Sequence, residues 1–499
     1  MILDFIICTI YIILFTYIVW KSAFFSGEGI PKYYFLAAFF LKILIGILGW
    51  QFYSSIYPHN DASGFYESSK VIYDLYFQNS DQFFKLFLGH EDVALKPYLD
   101  QLIGWNDSYL TLFVNDSRTI IRYNVILQFI SFGVFHVHTI VSCFLSLLGL
   151  TFIYKSIQLF IKGKSKLVFV VIFLLPSVLF WSSLVFKESL VFLGLGIVLY
   201  HSHVGLRKSY SVDSIFYLLL GFLLMLFIKP YLIFCILPAL IANAIFIRLK
   251  KIKIVLVYLC TFIFLFALVM IIHKQFPQYD LVQKVKEKQE LFNKSARGGV
   301  YLKTADFFIF VDYHQRNEKL IFLSDSTCKL NPRFTFKKFV LNKPDTSLVE
   351  KMEYSYIYEI PYDSPPAGSY NQTTVLDGSI GQLILLSPQK FFDVLILKDF
   401  FKHKGLLICL SILENSLLIL ALIVALFFSE IKKEHLPIVL FSLCFISCLY
   451  LITGFTTPVL GAIVRYKVPA MPFLGLIVVL LYQPQKLKAF LKRFSGQKS

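Results

Sequence analysis

The sequence predicts a polytopic all-α membrane protein with about eleven transmembrane helices and a small extracytoplasmic β-containing insertion. Three observations predict it. Of 499 residues, 57% are hydrophobic and 16% charged, whereas a soluble chain carries roughly 25% charged residues. Apolar runs approaching the roughly 20 residues needed to cross hydrocarbon recur along the chain. The excess of 48 Lys and Arg over 31 Asp and Glu is gathered into short segments between those runs. These segments hold Lys162, Lys164 and Lys166; Arg207 and Lys208; Arg248, Lys250, Lys251 and Lys253; and Lys432 and Lys433. The tail adds Lys486, Lys488, Lys492, Arg493 and Lys498. Such spacing is a positive-inside pattern rather than a groove for phosphodiesters, so no nucleic-acid partner is expected.

The runs are 2–20, 33–55, 134–160, 167–182, 185–201, 215–228, 231–247, 254–273, 406–428, 436–452 and 468–482. The first has neither a charged leading region nor a small-residue cleavage site, so it reads as a retained helix. Segment 215–247 as one helix would reach about 50 Å against a core of about 30 Å. It must fold back, and Lys229-Pro230-Tyr231 is the turn, because Pro breaks a helix and Lys belongs in water. The same argument divides 167–201 at Trp181-Ser182-Ser183. Seven of the eight cysteines fall in apolar runs and only Cys328 in a large polar segment, which implies neither a disulfide framework nor a metal-ligand spacing.

With the basic clusters cytoplasmic, the tail 483–499 is inside and the first residue outside. Segments 58–133 and 274–405 then face away from the cytoplasm, as do the turns at Lys187, Lys229 and Arg465. Within 58–133, Asp61–Phe77 and Asp81–Leu88 read as short amphipathic helices in the headgroup plane. Thr119–Phe132, with Arg118 and Arg122 at its start, reads the same way. The alternative, that Thr119–Phe132 spans the membrane, would put Lys162–Lys166 outside. In 274–385, Phe307–Asp312, Lys319–Leu323, Phe334–Leu341 and Glu353–Ile360 are alternating aromatic-rich runs that read as a small β meander. Ser364–Ser369 is a loop, and Ile380–Phe401 an interfacial helix. The organisation is therefore an added helix and loop (1–32), a helical module (33–273), the outer insertion (274–405), C-terminal helices (406–482) and a basic tail.

Polar residues beside or inside a membrane are costly and need a reason. Asp61, in Pro58-His59-Asn60-Asp61-Ala62-Ser63-Gly64-Phe65-Tyr66-Glu67, emerges from a membrane helix at the water interface and is the candidate catalytic base. The competing role is that Asn60-Asp61 caps the helix that follows. Lys187, Lys229 and Arg465 at three outer turns suit a lipid-linked phosphate, Arg by paired donors and Lys as a point charge. Alone, each would serve equally well by snorkelling to headgroups. Glu188 can pair with Lys187. Lys42 and Glu414 lie deeper, either paired structurally or lining a cavity. His136 and His138 lack a third ligand at metal spacing and read as interfacial histidines. No Walker pattern, Gly-x-Ser-x-Gly or His-Glu-x-x-His occurs, which argues against an NTP-driven pump or a common hydrolase.

Taken in order, these features are a core helix followed by an outer loop with Asp61 before Tyr66, then membrane-parallel helices. Next come Pro176-Ser177 with Lys187-Glu188, a Lys229-Pro230 turn, and Arg465-Tyr466-Lys467-Val468-Pro469-Ala470-Met471-Pro472 near the end. This order resembles the GT-C superfamily of membrane glycosyltransferases, in the branch of protein mannosyltransferases and aminoarabinose transferases. The likeness covers roughly 33–273 and the Arg-Tyr element. It implies inverting transfer from a polyprenyl-phosphate sugar on the extracytoplasmic face of a bacterial-type inner membrane, to a glycan, lipid or protein acceptor.

Asp61 would be the base, Lys187, Lys229 and Arg465 the donor-phosphate binders, and His59, Tyr66, Glu188 and Tyr466 sugar or acceptor contacts. Some relatives use a divalent metal near the acidic loop; nothing in this sequence establishes one. Segment 274–385 matches no named pattern and is a candidate surface for an envelope protein partner. Beside this stand an O-antigen polymerase or ligase type that depends on outer arginines, a lipid-linked glycan transporter, and a non-catalytic scaffold.

Overall fold

The computed structural model describes residues 2–58, 60–90, 92–105, 116–161, 163–249, 252–276, 279–303, 307–336, 338–340, 347–348, 354–371, 373–397, 405–429 and 432–487. The chain is mostly helical. Among the described residues, nine helices are long and apolar enough to cross a membrane: Ile2–Lys21, Lys32–Ile56, Phe135–Gln158, Lys187–Lys208, Tyr231–Arg248, Ile254–Gln275, Leu406–Phe427, Leu436–Thr456 and Leu460–Leu481. Nine of the expected runs correspond to these. The other two differ for identifiable reasons. Val212–Ile228 has 17 residues, about 25 Å at the helical rise and so short of a full hydrocarbon core. The run at 167–182 is broken into Ser165–Phe173 and Pro176–Trp181, because Pro176 has no N–H to continue the first helix but suits the first position of the second. The last span is interrupted as well, by a tight turn at Val468–Ala470 between Leu460–Tyr466 and Met471–Leu481.

The chain divides into two compact units, Met1–Phe266 with Leu413–Leu449 and Lys467–Ser499, and Ala267–Ile412 with Tyr450–Tyr466. In the first, helices Phe135–Gln158 and Lys187–Lys208 form the centre. Their backbones meet at glycines: a Cβ on Gly196 would fall 2.1 Å from the Gly149 carbonyl oxygen, and one on Gly149 would fall 2.3 Å from that of Phe192. Small residues permit this approach, and dispersion across it holds membrane helices together where no hydrophobic force between helices exists. Phe35, Tyr154, Phe169 and Phe173 pack as an aromatic cluster beside it. The first helix lies against the start of Phe135–Gln158, and the Tyr11 hydroxyl donates to the Ile130 carbonyl at 2.6 Å. Outside the long helices, Asp61–Gln78, Ser80–Leu88 and Asp116–Ser131 pack together. At 16 residues, Asp116–Ser131 is not among the helices long and apolar enough to span.

The second unit holds helix Leu281–Arg297 and an antiparallel sheet of β1 (Gly299–Lys303), β2 (Phe307–Asp312), β3 (Leu320–Ser324), β4 (Thr327–Leu330), β5 (Lys338–Val340), β6 (Ser347–Leu348) and β7 (Tyr358–Ser364). Its order is β3-β4-β7-β1-β2-β5-β6. The expected meander is thus replaced by a sheet whose last strand sits in the middle. Alternation marks strands but carries no information on which strand pairs with which. Val300, Leu302, Ile309, Val311, Leu320, Cys328 and Tyr358 form its core. The buried Gln289 side chain ties this unit together, donating to the Thr374 and Phe455 carbonyls at 3.1 and 3.0 Å and accepting from Leu376 N–H at 3.0 Å. The expected interfacial helix runs Ile380–Ile396; the stretch 398–404 lies outside the described residues.

The glycine contact is testable. Gly196→Ala should destabilise the purified protein by about 1–3 kcal/mol, because the facing backbone cannot yield as a side chain would. Gly381→Ala, where a Cβ would meet nothing within 4 Å, should leave the unfolding midpoint unchanged or raise it. Equal midpoints for the two variants would contradict the packing described.

Candidate active site

After helix Lys32–Ile56 ends, the chain turns at once into Asp61–Gln78. Asn60 caps that helix: its Oδ1 accepts from Ala62 N–H at 3.0 Å and Ser63 N–H at 3.1 Å, while Ser63 Oγ accepts from Asn60 N–H at 3.3 Å. The capping role therefore falls to Asn60. Asp61 is the first helical residue, exposed, where the helix dipole favours a carboxylate.

One turn on from Asp61, the Phe65 ring lies 5.1 Å from Lys187 Nζ. That ammonium donates to Asp116 Oδ2 at 2.8 Å and to Ser117 Oγ at 3.4 Å. Asp116 opens helix Asp116–Ser131, so Lys187 joins helices Asp61–Gln78 and Asp116–Ser131 to the start of Lys187–Lys208. Beside it, Glu188 is fully buried and accepts from Lys229 Nζ at 2.8 Å. Glu188 sits in a first helical turn and Lys229 just past the end of Val212–Ile228, so each charge meets the helix end that stabilises it.

Burial separates the two pairs. Asp116 retains 40% of its side-chain exposure, against 5% and 0% for Lys229 and Glu188. The more solvent reaches a pair, the less its Coulomb attraction contributes, about 0–1 kcal/mol for a fully exposed one. Removing one member of a buried pair costs about 3–5 kcal/mol. Both lysines are buried, but the partner of Lys187 lies partly in solvent, whereas Lys229 faces a carboxylate that is fully buried.

Tyr66 donates from its hydroxyl to the Gly133 carbonyl at 2.6 Å and packs edge-on against Phe135 and His138. Burial pushes its phenol above the usual range, which keeps it a donor. His138 bridges Asn124 Oδ1 and Ser131 Oγ at 2.8 and 2.9 Å. Asn124 donates from Nδ2 to Ile120 O, so its oxygen accepts from His138 Nδ1–H and Nε2 accepts from Ser131. His59 lies outside the described residues. Arg465 and Tyr466 belong to the second unit, where Arg465 is buried and the Tyr466 ring is edge-on to Phe292.

Lys42 and Glu414 do not pair with each other: Lys42 Nζ donates to Ser182 Oγ at 2.6 Å, and Glu414 accepts from Ser177 N–H and Oγ, at 3.2 and 3.1 Å. Lys467, fully buried, has an Nζ without a hydrogen-bond partner among the described residues. Two residues of interest, Lys467 and Asp116, are not singled out by the sequence patterns above. Lys467 was hidden within the Arg-Tyr element. Asp116 was visible in principle, since Asn115-Asp116-Ser117 repeats the Asn-Asp-then-Ser pattern of Asn60-Asp61-Ala62-Ser63.

Among the described residues no three His, Cys, Asp or Glu side chains gather as a metal site. Asp116 and Glu188 are each engaged by a lysine. No family model matches the chain, and comparison with curated proteins and with solved structures finds no significant similarity.

Glu188→Gln should cost about 3–5 kcal/mol by stranding Lys229. Combining it with Lys229→Met should recover most of that loss. Chemical unfolding of the purified variants measures both. A double variant as unstable as the single would contradict the assignment of this pair.

Proposed function

We propose that this chain is an inverting glycosyltransferase that moves a sugar from a polyprenyl-phosphate carrier to a glycan, lipid or protein acceptor. It would act on the extracytoplasmic face of a bacterial-type inner membrane, with the C-terminus cytoplasmic. The observation that carries the reading is the meeting of Lys187 with the helices that begin at Asp61 and Asp116. A cation with a partly exposed partner and carboxylates at helix starts then share one end of the first unit.

The chemistry needs little more. Lipid phosphate is already a good leaving group, so the protein must remove the acceptor hydroxyl proton and stabilise charge building on phosphate. Asp61 takes the proton. Lys187 releases Asp116 and binds the donor phosphate, and Asp116 remains beside the acceptor. Lys229 acts through Glu188, holding the helix start that presents Lys187. His59 and Tyr66 remain the sugar-side residues of this proposal, Tyr66 through its ring, since its hydroxyl is occupied; Glu188, fully buried against Lys229, is a positioning residue instead of a sugar contact. The sheet at 299–364 is the surface offered to an envelope partner.

One observation favours a second reading, a transporter of lipid-linked glycan. Two apolar segments are interrupted, at Leu174–Leu175 and at Val468–Ala470, and Glu414 and Lys467 are buried there. Broken helices with buried charge are the usual construction of a transport site. The two readings separate in one assay: purified protein with labelled polyprenyl-phosphate sugar, read for sugar transfer or release. Asp61→Asn should lower the rate about 10²–10⁴-fold with the fold intact, and Glu414→Gln should leave turnover largely unchanged. Full activity in Asp61→Asn would overturn the assignment of the base and favour the polymerase or ligase type.

A further inference from the structure

Away from the candidate site, helices Lys187–Lys208 and Tyr231–Arg248 end side by side around a pocket of about 740 Å³. Arg207, Lys208, Ser209, Phe246 and Arg248 line it, and no carboxylate does. None of the three cations pairs with an acid among the described residues. Arg207 instead lies over the Phe160 ring at 4.3 Å, which holds its guanidinium at the pocket wall.

The ordinary explanation for such residues is that they complement the negative ends of two helices. That accounts for about half a charge at each end, whereas three full charges are present, and roughly two remain uncompensated. The backbone here is also specialised. Ser209 has φ 143°, a region that L residues rarely occupy. The turn it makes lays the Tyr210 ring on Gly205, where a Cβ would fall 2.2 Å from that ring. Tyr210 is within electrostatic reach of Arg248. Finally, Phe234, Ile241, Ile245 and Leu249 are exposed at helical spacing along Tyr231–Arg248 and its end, an apolar stripe that leads up to Arg248.

We propose that this pocket is a binding site for a phosphate-bearing anion, with the phosphate held by Arg207, Lys208 and Arg248. The adjoining apolar stripe is placed to take acyl chains, so an anionic phospholipid is the ligand that uses all of the surface. A soluble phosphate would use the basic pocket alone. Basic pockets between membrane helices are suited to this chemistry, and each Lys or Arg should strengthen binding about fivefold.

The test is native mass spectrometry of the full chain in detergent, titrated separately with phosphatidylglycerol, phosphatidylcholine and inorganic phosphate. Phosphatidylglycerol should be retained more tightly than phosphatidylcholine, and Lys208→Gln and Arg248→Gln should each weaken it about fivefold. Arg248→Lys, which keeps the charge, should retain most of the affinity, a result that mere packing would not give. Inorganic phosphate that displaces the lipid at comparable concentration would support the site with a soluble ligand. Equal retention of the two lipids, or unchanged phosphatidylglycerol binding in both Gln variants, would overturn the proposal. Should a variant fail to run as a monodisperse species, the lipid comparison in the unaltered chain decides alone.

Discussion

The buried pair of Glu188 and Lys229 is the constraint on which the candidate site rests. It pins the start of Lys187–Lys208 to the turn after Val212–Ile228, and this fixes where Lys187 emerges. Taking two charges out of water costs several kcal/mol per ion. Part of that is offset by contact at 2.8 Å and by two helix ends of the matching sign. Such a pair adds little to stability relative to an apolar filling, yet it is intolerant of losing one member. It joins the start of Lys187–Lys208 to the turn at Lys229, and Lys187, the adjacent residue, meets the helices that start at Asp61 and Asp116. Two adjacent residues in the chain thus do different work: Glu188 anchors and Lys187 holds a partner that lies partly in solvent.

Irregular backbone within apolar segments is the second theme. Away from water, an interrupted helix leaves amide groups to be satisfied by something other than its own ladder, so it survives only where protein surrounds it. Pro176 opens one such gap, and Glu414 fills the hydrogen-bonding need at Ser177 with both its oxygens. Pro469 and Pro472 shape the other, next to the buried Lys467. Close backbone approach through Gly149 and Gly196 packs the two central helices directly against each other.

Much of this was legible in residue order. Long apolar runs announce themselves by length, and the fold-back at Lys229-Pro230 follows from a helix that would overshoot the membrane. The end of the bundle at which Lys187, Glu188 and Lys229 meet was readable from where basic clusters fall. What could not be read was pairing. Sequence alone groups Lys229 with Lys187 as a phosphate cation, because nothing in it says that Glu188, next to Lys187, turns instead to a residue 41 positions on. Likewise, for Lys42 and Glu414 the sequence leaves open whether each pairs structurally or lines a cavity; in the fold they bond to Ser182 and Ser177. The strand order of the sheet was illegible for the same reason: alternation is local and pairing is not.

The central claim of the proposed function is that Asp61 and the basic run at Lys164–Lys166 lie on opposite sides of the membrane. It is tested most directly by labelling intact cells with a membrane-impermeant maleimide, in a background whose native cysteines are replaced. Asp61→Cys should react in intact cells, while Lys166→Cys should react only after permeabilisation. Labelling of both positions from the same side would contradict the arrangement and, with it, the transfer of a lipid-linked sugar at this site.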